Sequence, residues 1–304
     1  MRTIAAAEGT PGGMRGCGRG GSDGDIDREG RQMLIRSRAN EAVKRVRRLA
    51  SRKERERTGL YLVEGVQLLE EAVAVGVEVA ELVVAPDLLE GRAAQAVSSL
   101  RDRVSLLEVT PEVMDSISPR HGHQGVAAVV RQRWERLAEV HLGDDALWVA
   151  LNGIELPGSL GTIMRVSDAV GGAGAILIGD SADPYDPASV RASLGAVFSQ
   201  RLVKATLAQF VEWKQRERAF VVGTSPSGEV DYQAVDYPAA VVAFMGGERV
   251  GLSEAERAVC DVTVRIPMVG RVESHHVAVA TAIVLYEIFS QRRAGRGRQG
   301  RLPR

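Results

Sequence analysis

The sequence has few cysteines and no long apolar run. Cys17 and Cys260 are its only cysteines, too few for a disulfide framework, so we expect a protein of the reducing cytoplasm. It has no uninterrupted apolar run of about 18 residues, which argues against a membrane span and predicts no membrane partner. The N-terminal residues carry charges throughout, so no secretory signal is expected.

The glycine patterns that cradle nucleotide phosphates are also missing. The stretch NGIELPGSLGTIMRVSDAVGGAGAILIG (152–179) has the layout of a nucleotide-binding unit, with a strand, a glycine-containing turn, a helix and a second apolar run. It contains neither G-x-G-x-x-G nor G-x-x-x-x-G-K-[ST]. A dinucleotide-dependent oxidoreductase is therefore disfavoured. The turn instead places Arg165 one helical turn past a tight bend, which suggests a role for this arginine.

A net charge of zero hides an uneven distribution. Residues 31–57 hold 11 Lys and Arg against 3 acidic residues, and residues 292–304 add 6 arginines and no acid. The body between them, 58–291, has 18 basic and 31 acidic residues. Two basic segments around an acidic body predict a local site for a polyanion. The alternative is that the first basic segment is a solvated helix face and the second a solubilising tail, with no polyanion bound.

Composition divides the chain into five segments. Residues 1–30 are rich in glycine and poor in apolar residues, which predicts a disordered tail. We predict a small α/β domain over 31–134, a polar linker over 135–146, a larger α/β domain over 147–291 and a basic tail over 292–304. Short apolar strands alternate with helices in the larger domain, which is typical of a parallel sheet covered on both faces.

Local patterns predict the individual elements. In the small domain, helical spacing of apolar residues begins near Ala39. Strands are predicted there over 59–65, 79–86, 104–108 and 125–134, and helices over 66–76 and 87–99. The larger domain is predicted to contain strands near 147–151, 175–178, 219–222, 240–244 and 262–266. Its predicted helices lie near 160–170, 187–197, 207–217, 253–260 and 277–291. Ser253 and Glu256 form a capping box at the start of one of them.

Three ordered motifs carry a resemblance to a known family. They are PGSLGTIMRVSDAVGGAGAILIG (157–179), FMGGERVGLSE (244–254) and IPMVGRVESHHVAVATAIVLYE (266–287). With them the chain resembles the SpoU/TrmH branch of the SPOUT methyltransferases, which transfer a methyl group from S-adenosylmethionine to a ribose 2′-hydroxyl of RNA. Upstream, the stretches at 52–73 and 121–130 are similar to the small RNA substrate-binding domain that many members carry. The resemblance therefore implies RNA, and rRNA in particular, as the partner.

The resemblance also implies a fold, a cofactor site and an assembly. The family fold is a parallel α/β sheet whose C-terminal segment passes through a loop and forms a trefoil knot. By position, Gly246, Ile266 and His275 match residues that hold S-adenosylmethionine in relatives, and Met268 lies in the same loop. Members are homodimers that pack through the knotted region and the C-terminal helix, which implies an interface role for residues 277–289.

Catalytic roles follow from the same motifs. Arg165 matches the arginine that contacts an RNA phosphate and assists deprotonation of the hydroxyl, and an electrostatic role suits it because an arginine side chain keeps its positive charge in proteins. Glu248 matches the glutamate that supports this arginine and the active-site loop, and Ser274 matches a serine near the acceptor site. Ser159 and His276 stand where the family has asparagines. They imply either a re-tuned acceptor site or weakened catalysis with binding retained.

Two further alternatives remain at this point. A methyltransferase with a small-molecule acceptor is disfavoured, because a neutral acceptor would not need the basic segments. A metal site at His275 and His276 is not predicted, because no Cys, Asp or Glu stands at ligand spacing. The HGHQG stretch (121–125) is predicted to be a turn that enters a strand.

Overall fold

A computed structural model describes residues 34–118 and 123–298 of the chain. The predicted disordered tail (1–30), the end of the predicted basic tail (299–304) and the start of the HGHQG stretch lie outside these residues. In chain order the elements are α1 (Glu41–Arg48), α2 (Arg52–Thr58), β1 (Leu60–Glu64), α3 (Val66–Val75), β2 (Val79–Val84), α4 (Gly91–Leu100), β3 (Ser105–Glu108), α5 (Pro111–Ile117), β4 (Val126–Arg131), β5 (Leu147–Asn152), α6 (Pro157–Ala169), β6 (Gly174–Ile178), α7 (Pro187–Ser193), α8 (Ala196–Ser199), β7 (Arg201–Ala205), α9 (Leu207–Glu217), β8 (Val221–Thr224), β9 (Val230–Asp231), β10 (Val241–Met245), α10 (Glu254–Arg257), β11 (Val262–Arg265) and α11 (Val277–Arg298). None of the described helices is both long and apolar enough to cross a bilayer.

The first four strands form the small sheet, in the order β1-β4-β2-β3. β4 is antiparallel to both of its neighbours, whereas β2 and β3 are parallel. Val126, Ala128 and Val130 pack with α3 and α4, and Ala127 and Val129 pack on the other face with α1 and α5. A central strand with helices on both faces needs this continuous apolar run, because alternate side chains point to opposite faces.

The remaining strands form the large sheet, in the order β7-β6-β5-β10-β8-β11-β9, and every pair in it is parallel. Along β5, Leu147, Val149 and Leu151 pack with α6 and α11, while Trp148 and Ala150 pack on the opposite face with α9. The prediction of a parallel α/β sheet covered on both faces, preceded by a smaller α/β part, is confirmed.

Several boundaries differ from the predicted ones. The edge strands β7 and β9 were not predicted, because β7 carries Arg201 and Lys204 among its apolar residues and β9 spans only Val230–Asp231. The helix predicted over 187–197 is two helices, because Leu194 (φ 48°) and Gly195 (φ 100°) adopt left-handed conformations that end α7. The helix predicted over 253–260 ends at Arg257, and the helix predicted over 277–291 continues to Arg298, so the predicted basic tail begins within a helix.

Close packing of α6 on α7 depends on one glycine. A Cβ at Gly161 would overlap the carbonyl oxygen of Ser189 and approach the side chain of Ala192. Glycine lets the two helix backbones approach at this point. α6 also packs against α11 and so lies between α7 and the C-terminal helix.

The segment predicted as a polar linker (135–146) is packed against the large sheet. Leu137 and Val140 are buried within the same apolar cluster as Trp213 of α9. The indole Nε1 of Trp213 donates a hydrogen bond to the Val140 carbonyl at 2.8 Å. These contacts fix the connection between the two sheets.

A buried guanidinium also joins the two sheets. Arg55 of α2 is 1% exposed, and it donates to Asp183 Oδ2 at 2.7 Å and to Asp186 Oδ2 at 3.2 Å. It also donates to the carbonyls of Leu49 and Ala50. The predicted polyanion segment 31–57 therefore includes one basic residue that is part of the interior.

Candidate active site at the strand ends

The carboxyl ends of the neighbouring strands β10, β8 and β11 surround one cavity. Its walls are the end of β8 (224–226), the loop after β10 (246–251, the glycine loop) and the loop between β11 and α11 (266–276, the pre-helix loop). The cavity has a volume of about 170 Å³ and is called the strand-end cavity below. In open α/β sheets, ligands bind outside the carboxyl ends of the strands. The position of this cavity therefore favours a ligand site.

The glycine loop is closed by its own backbone. The Gly247 amide donates to the Gly251 carbonyl at 3.2 Å, and the Gly251 amide donates to the Gly247 carbonyl at 2.9 Å. A Cβ at Gly246 would overlap the Gly251 carbonyl carbon, so the closed loop requires glycine there. The loop consequently presents backbone atoms to the cavity.

A hydrogen-bond network holds the exit of the glycine loop. The predicted capping box is confirmed: Ser253 Oγ accepts from the Glu256 amide at 3.3 Å, and Glu256 Oε2 accepts from the Ser253 amide at 2.6 Å. Asn152 Nδ2, at the end of β5, donates to the other Glu256 oxygen. Burial raises the pKa of Glu256, but the hydrogen bonds from Ser253 and Asn152 outweigh it and hold that pKa below its usual value.

The residues predicted to hold the cofactor lie together. Gly246, Ile266, Met268 and His275 all line the strand-end cavity. The structure thus brings residues from two separate motifs to one place. Their functional roles stay predictions.

Two polar atoms in the cavity wall have no partner within the described part of the chain. Glu248 Oε1 and Thr224 Oγ1 are buried and make no hydrogen bond. Both residues line the strand-end cavity, as does the predicted catalytic residue Ser274. Because buried polar groups are normally paired, these atoms favour a ligand that carries complementary polar groups. Ile266 and Met268 give the same cavity apolar surface for the rest of such a ligand.

Thr224 was missed by the sequence analysis. The predicted strand near 219–222 ends before it, whereas β8 extends through Thr224. The sequence feature that could have identified Thr224 is a polar residue directly after a short apolar run, where the carboxyl end of a parallel strand is expected. That signal becomes informative only when the neighbours of β8 are known, because β8 lies between β10 and β11.

Arg165 is exposed on α6 and does not line the strand-end cavity. Over residues 34–118 and 123–298, it forms no ion pair or hydrogen bond through its side chain. The two acids that could have paired with it have other partners, since Asp168 accepts from Ser199 and Asp180 pairs with Arg52. Its guanidinium is therefore available to an external anion.

Ser159 and His276, which replace the family asparagines, contact each other. Ser159 Oγ lies 3.2 Å from His276 Nε2. His276 precedes α11, and its Nδ1 accepts a hydrogen bond from the Ala278 amide at 3.2 Å. Ser159 is buried, whereas the His276 side chain is exposed. Four of the predicted catalytic residues thus form two pairs, Glu248 with Ser274 in the strand-end cavity and Ser159 with His276 where α6 meets α11, whereas Arg165 belongs to neither pair.

The described part of the HGHQG stretch and Cys260 do not line the strand-end cavity. His123, at the end of the HGHQG stretch, accepts from the Gly125 amide through Nδ1 in the turn that enters β4. Burial raises the pKa of Cys260 to about 12, so its thiol is not a nucleophile at neutral pH. No group of three or more His, Cys, Asp or Glu side chains suited to a metal ion occurs in the described ranges.

Known proteins match this chain in both halves. The SpoU rRNA Methylase family matches residues 146–286, and the MRM3-like substrate binding domain matches residues 40–128. The 23S rRNA (uridine(2479)-2′-O)-methyltransferase of Streptomyces viridochromogenes is 34% identical over 259 residues, which are 82% of this chain and 88% of that protein. The 23S rRNA (guanosine(2553)-2′-O)-methyltransferase RlmP of Bacillus subtilis is 28% identical over 255 residues, which are 84% of this chain and 98% of that protein.

A solved structure agrees with these matches. The AdoMet-bound rRNA methyltransferase from Sinorhizobium meliloti superposes with a TM-score of 0.79 at 34% identity, over 86% of this chain and 98% of that chain. The sequence resemblance is confirmed, and the chain belongs to the SpoU rRNA methylase family.

Proposed function

We infer that this protein is an S-adenosylmethionine-dependent RNA ribose 2′-O-methyltransferase that acts on 23S rRNA. The strand-end cavity carries the inference, because residues of two family motifs meet there around the unpaired oxygens of Glu248 and Thr224. The names of the similar proteins support the reaction and the RNA. The AdoMet-bound relative supports the cofactor.

The residues of the cavity fit this cofactor. Glycine at position 246 lets the backbone approach a ligand, while Ile266 and Met268 offer apolar contacts. The carboxylate of Glu248 suits a ligand that carries positive charge, and the Thr224 hydroxyl can donate or accept a hydrogen bond. The bound cofactor supplies an electrophilic methyl group on a sulfonium.

The acceptor chemistry is assigned to Arg165. A ribose hydroxyl is a weak nucleophile because it is protonated at neutral pH. An unpaired guanidinium can bind an RNA phosphate through two hydrogen bonds and stabilise the negative charge that develops on the ribose oxygen. In this proposal Glu248 supports the active-site loop, and Ser274 stands beside the acceptor.

The N-terminal part is assigned to gripping RNA. We propose the division into a substrate-binding domain (31–134), a linker (135–146) and a catalytic domain (147–291). The proposed basic surface consists of three exposed residues, Arg47 and Arg48 on α1 and Lys53 on α2. Such a surface contributes salt-dependent affinity for the phosphates of RNA.

The assembly, topology and compartment belong to the same proposal. Leu156, Val279 and Tyr286 are exposed apolar side chains at or near α6 and α11, and a second copy of the chain would cover them as a homodimer. A trefoil knot is proposed for the segment that leaves β11 through the pre-helix loop. We propose the cytoplasm as the compartment of the protein, because the proposed substrate is rRNA.

Mass-spectrometric mapping of ribose methylation on rRNA tests this function. Purified protein, S-adenosylmethionine and rRNA that lacks the modification are expected to yield one new 2′-O-methyl nucleotide. Arg165→Ala is expected to lower transfer by at least ~100-fold, the scale for losing one group that stabilises a developing anion. It should leave cofactor affinity and folding intact, because this side chain supports no other described residue.

Arg257→Ala is the matched control, because Arg257 is exposed on α10 outside the site, and wild-type transfer is expected. Absence of methyl transfer by the wild type at every pH between about 6 and 9 would contradict the proposal. Binding of cofactor and RNA without transfer would instead indicate a catalytically weakened relative. Salt-insensitive transfer to small metabolites would indicate a non-RNA acceptor.

A further inference from the structure

The contact between Ser159 and His276 has a defined direction. His276 Nδ1 faces the Ala278 amide, which can only donate, so Nδ1 is the acceptor and carries no hydrogen. A neutral ring then carries its hydrogen on Nε2, which donates to Ser159 Oγ. The two hydrogen bonds therefore require one tautomer of a neutral imidazole.

The same ring takes part in capping α11. The backbone carbonyl of His276 accepts from the amides of Val279 and Ala280, so His276 is the N-cap residue directly before α11. Its Nδ1 satisfies the Ala278 amide, a task that a shorter Asn, Asp, Ser or Thr side chain performs at most helix starts. Histidine is thus an N-cap residue that has a second nitrogen left for another contact.

That second contact joins two parts of the proposed machinery. Ser159 lies in the first turn of α6, the helix that carries Arg165 two turns later. His276 directly follows Ser274 and His275, which line the strand-end cavity. The hydrogen bond between Ser159 Oγ and His276 Nε2 therefore links the helix that carries Arg165 to the loop on the cofactor side.

We propose that Ser159 and His276 are a positioning pair, whose hydrogen bond aligns α6 with the pre-helix loop for methyl transfer. The proposal rests on the function proposed above. It assigns the two departures from the family asparagines to one coupled replacement. The histidine retains the capping task, and the serine leaves room for the larger ring. Loss of the bond misaligns the reacting groups but leaves the cofactor cavity closed.

The first experiment determines the tautomer without measuring catalysis. The chain has five histidines, so side-chain ¹H–¹⁵N spectra of protein labelled with ¹⁵N-histidine are simple, and His276→Asn identifies the His276 signals. We expect hydrogen on Nε2 and a shift of these signals in Ser159→Ala. Hydrogen on Nδ1 at neutral pH, or signals unaffected by Ser159→Ala, would overturn the proposal.

The second experiment separates alignment from capping. Ser159→Ala and His276→Asn each remove the hydrogen bond between the two side chains but keep an N-cap for α11. Each should lower kcat about fivefold, the factor for one neutral hydrogen bond, and leave the cofactor Kd unchanged. The double variant should be no slower than either single one. His276→Ala also removes the cap, so its cofactor Kd should rise about fivefold, and asparagine should restore it.

Thr162→Ala is the control, because this hydroxyl lies one turn further along α6 and donates to the Gly158 carbonyl. Its kcat is expected to equal that of the wild type. Additive losses in the double variant, or equal losses in kcat and cofactor affinity for Ser159→Ala, would overturn the proposal. A wild type without methyl transfer would refute the proposed function, whereas the tautomer and the cofactor titrations would still decide whether the pair exists.

Discussion

Arg55→Met removes the buried charge that joins the two sheets and keeps a long apolar side chain in its place. The change leaves the carboxylates of Asp183 and Asp186 without their guanidinium, and the former is 9% exposed. The Leu49 and Ala50 carbonyls lose donors as well. Breaking a buried ion pair from one side typically costs about 3–5 kcal/mol, because the remaining charge stays buried and uncompensated.

The expected loss is large for a folded protein, whose total stability is usually about 5–15 kcal/mol. We therefore expect a lower midpoint in urea, with an unchanged slope, and a melting temperature lower by roughly 2–4 °C for each kcal/mol. Adding Asp183→Asn should recover part of the loss, because it removes the uncompensated charge and keeps an acceptor for the Tyr185 amide.

Arg57→Met is the matched control for this measurement. Arg57 lies on the same helix, but its guanidinium is exposed and pairs with Glu54. Exposed pairs contribute little, so no measurable change is expected. A loss below about 1 kcal/mol for Arg55→Met would refute the reasoning, because the buried pair would then act like a surface pair.

Two further substitutions test the support of the strand-end cavity. Gly246→Ala should weaken cofactor binding at least ~tenfold in calorimetry, because the added Cβ would overlap the Gly251 carbonyl carbon and open the glycine loop. Gly295→Ala is the control, because a Cβ there meets no atom, and this variant should bind the cofactor normally. Equal cofactor affinities of the two variants would contradict the close approach at Gly246. Glu256→Gln should destabilise the protein by about 1–2 kcal/mol at neutral pH through weaker hydrogen bonds. The pKa of Glu256 is lower in the native protein than in the unfolded chain, so its ionised carboxylate stabilises the fold above the unfolded value of about 4.3. This stabilisation is lost as the pH falls through the native pKa, so the stability difference between wild type and Glu256→Gln should shrink in acid. A stability difference that grows on acidification would contradict the lowered pKa.

The sequence predicted the central elements better than the edges. Strands such as β4 and β5 are apolar throughout because both faces are covered, and this composition is visible without a structure. β7 was missed because an edge strand tolerates Arg201 and Lys204 among its apolar residues. The break between α7 and α8 was missed because Leu194, a good helix former, is held in a left-handed conformation by its surroundings.

The site was predictable in its parts but not in its contacts. Motif spacing identified Gly246, Glu248 and His275, and the structure places all three around one cavity. No pattern along the chain could show that Ser159 and His276 touch, because the contact depends on how α6 packs on α11. The burial of Arg55 was equally invisible, since its partners lie far away in sequence.

The buried guanidinium of Arg55 has a consequence for target selection. It links α2 to the segment that contains Asp183 and Asp186 through the interior, so these ion pairs oppose movement of α2 relative to that segment. In the proposed RNA complex, this anchoring would define the distance between the basic surface of α1 and α2 and the reaction site. An RNA bound in that proposed way would have to present its phosphate contacts and its target nucleotide at matching spacing, and this requirement would select a folded shape before any base is read.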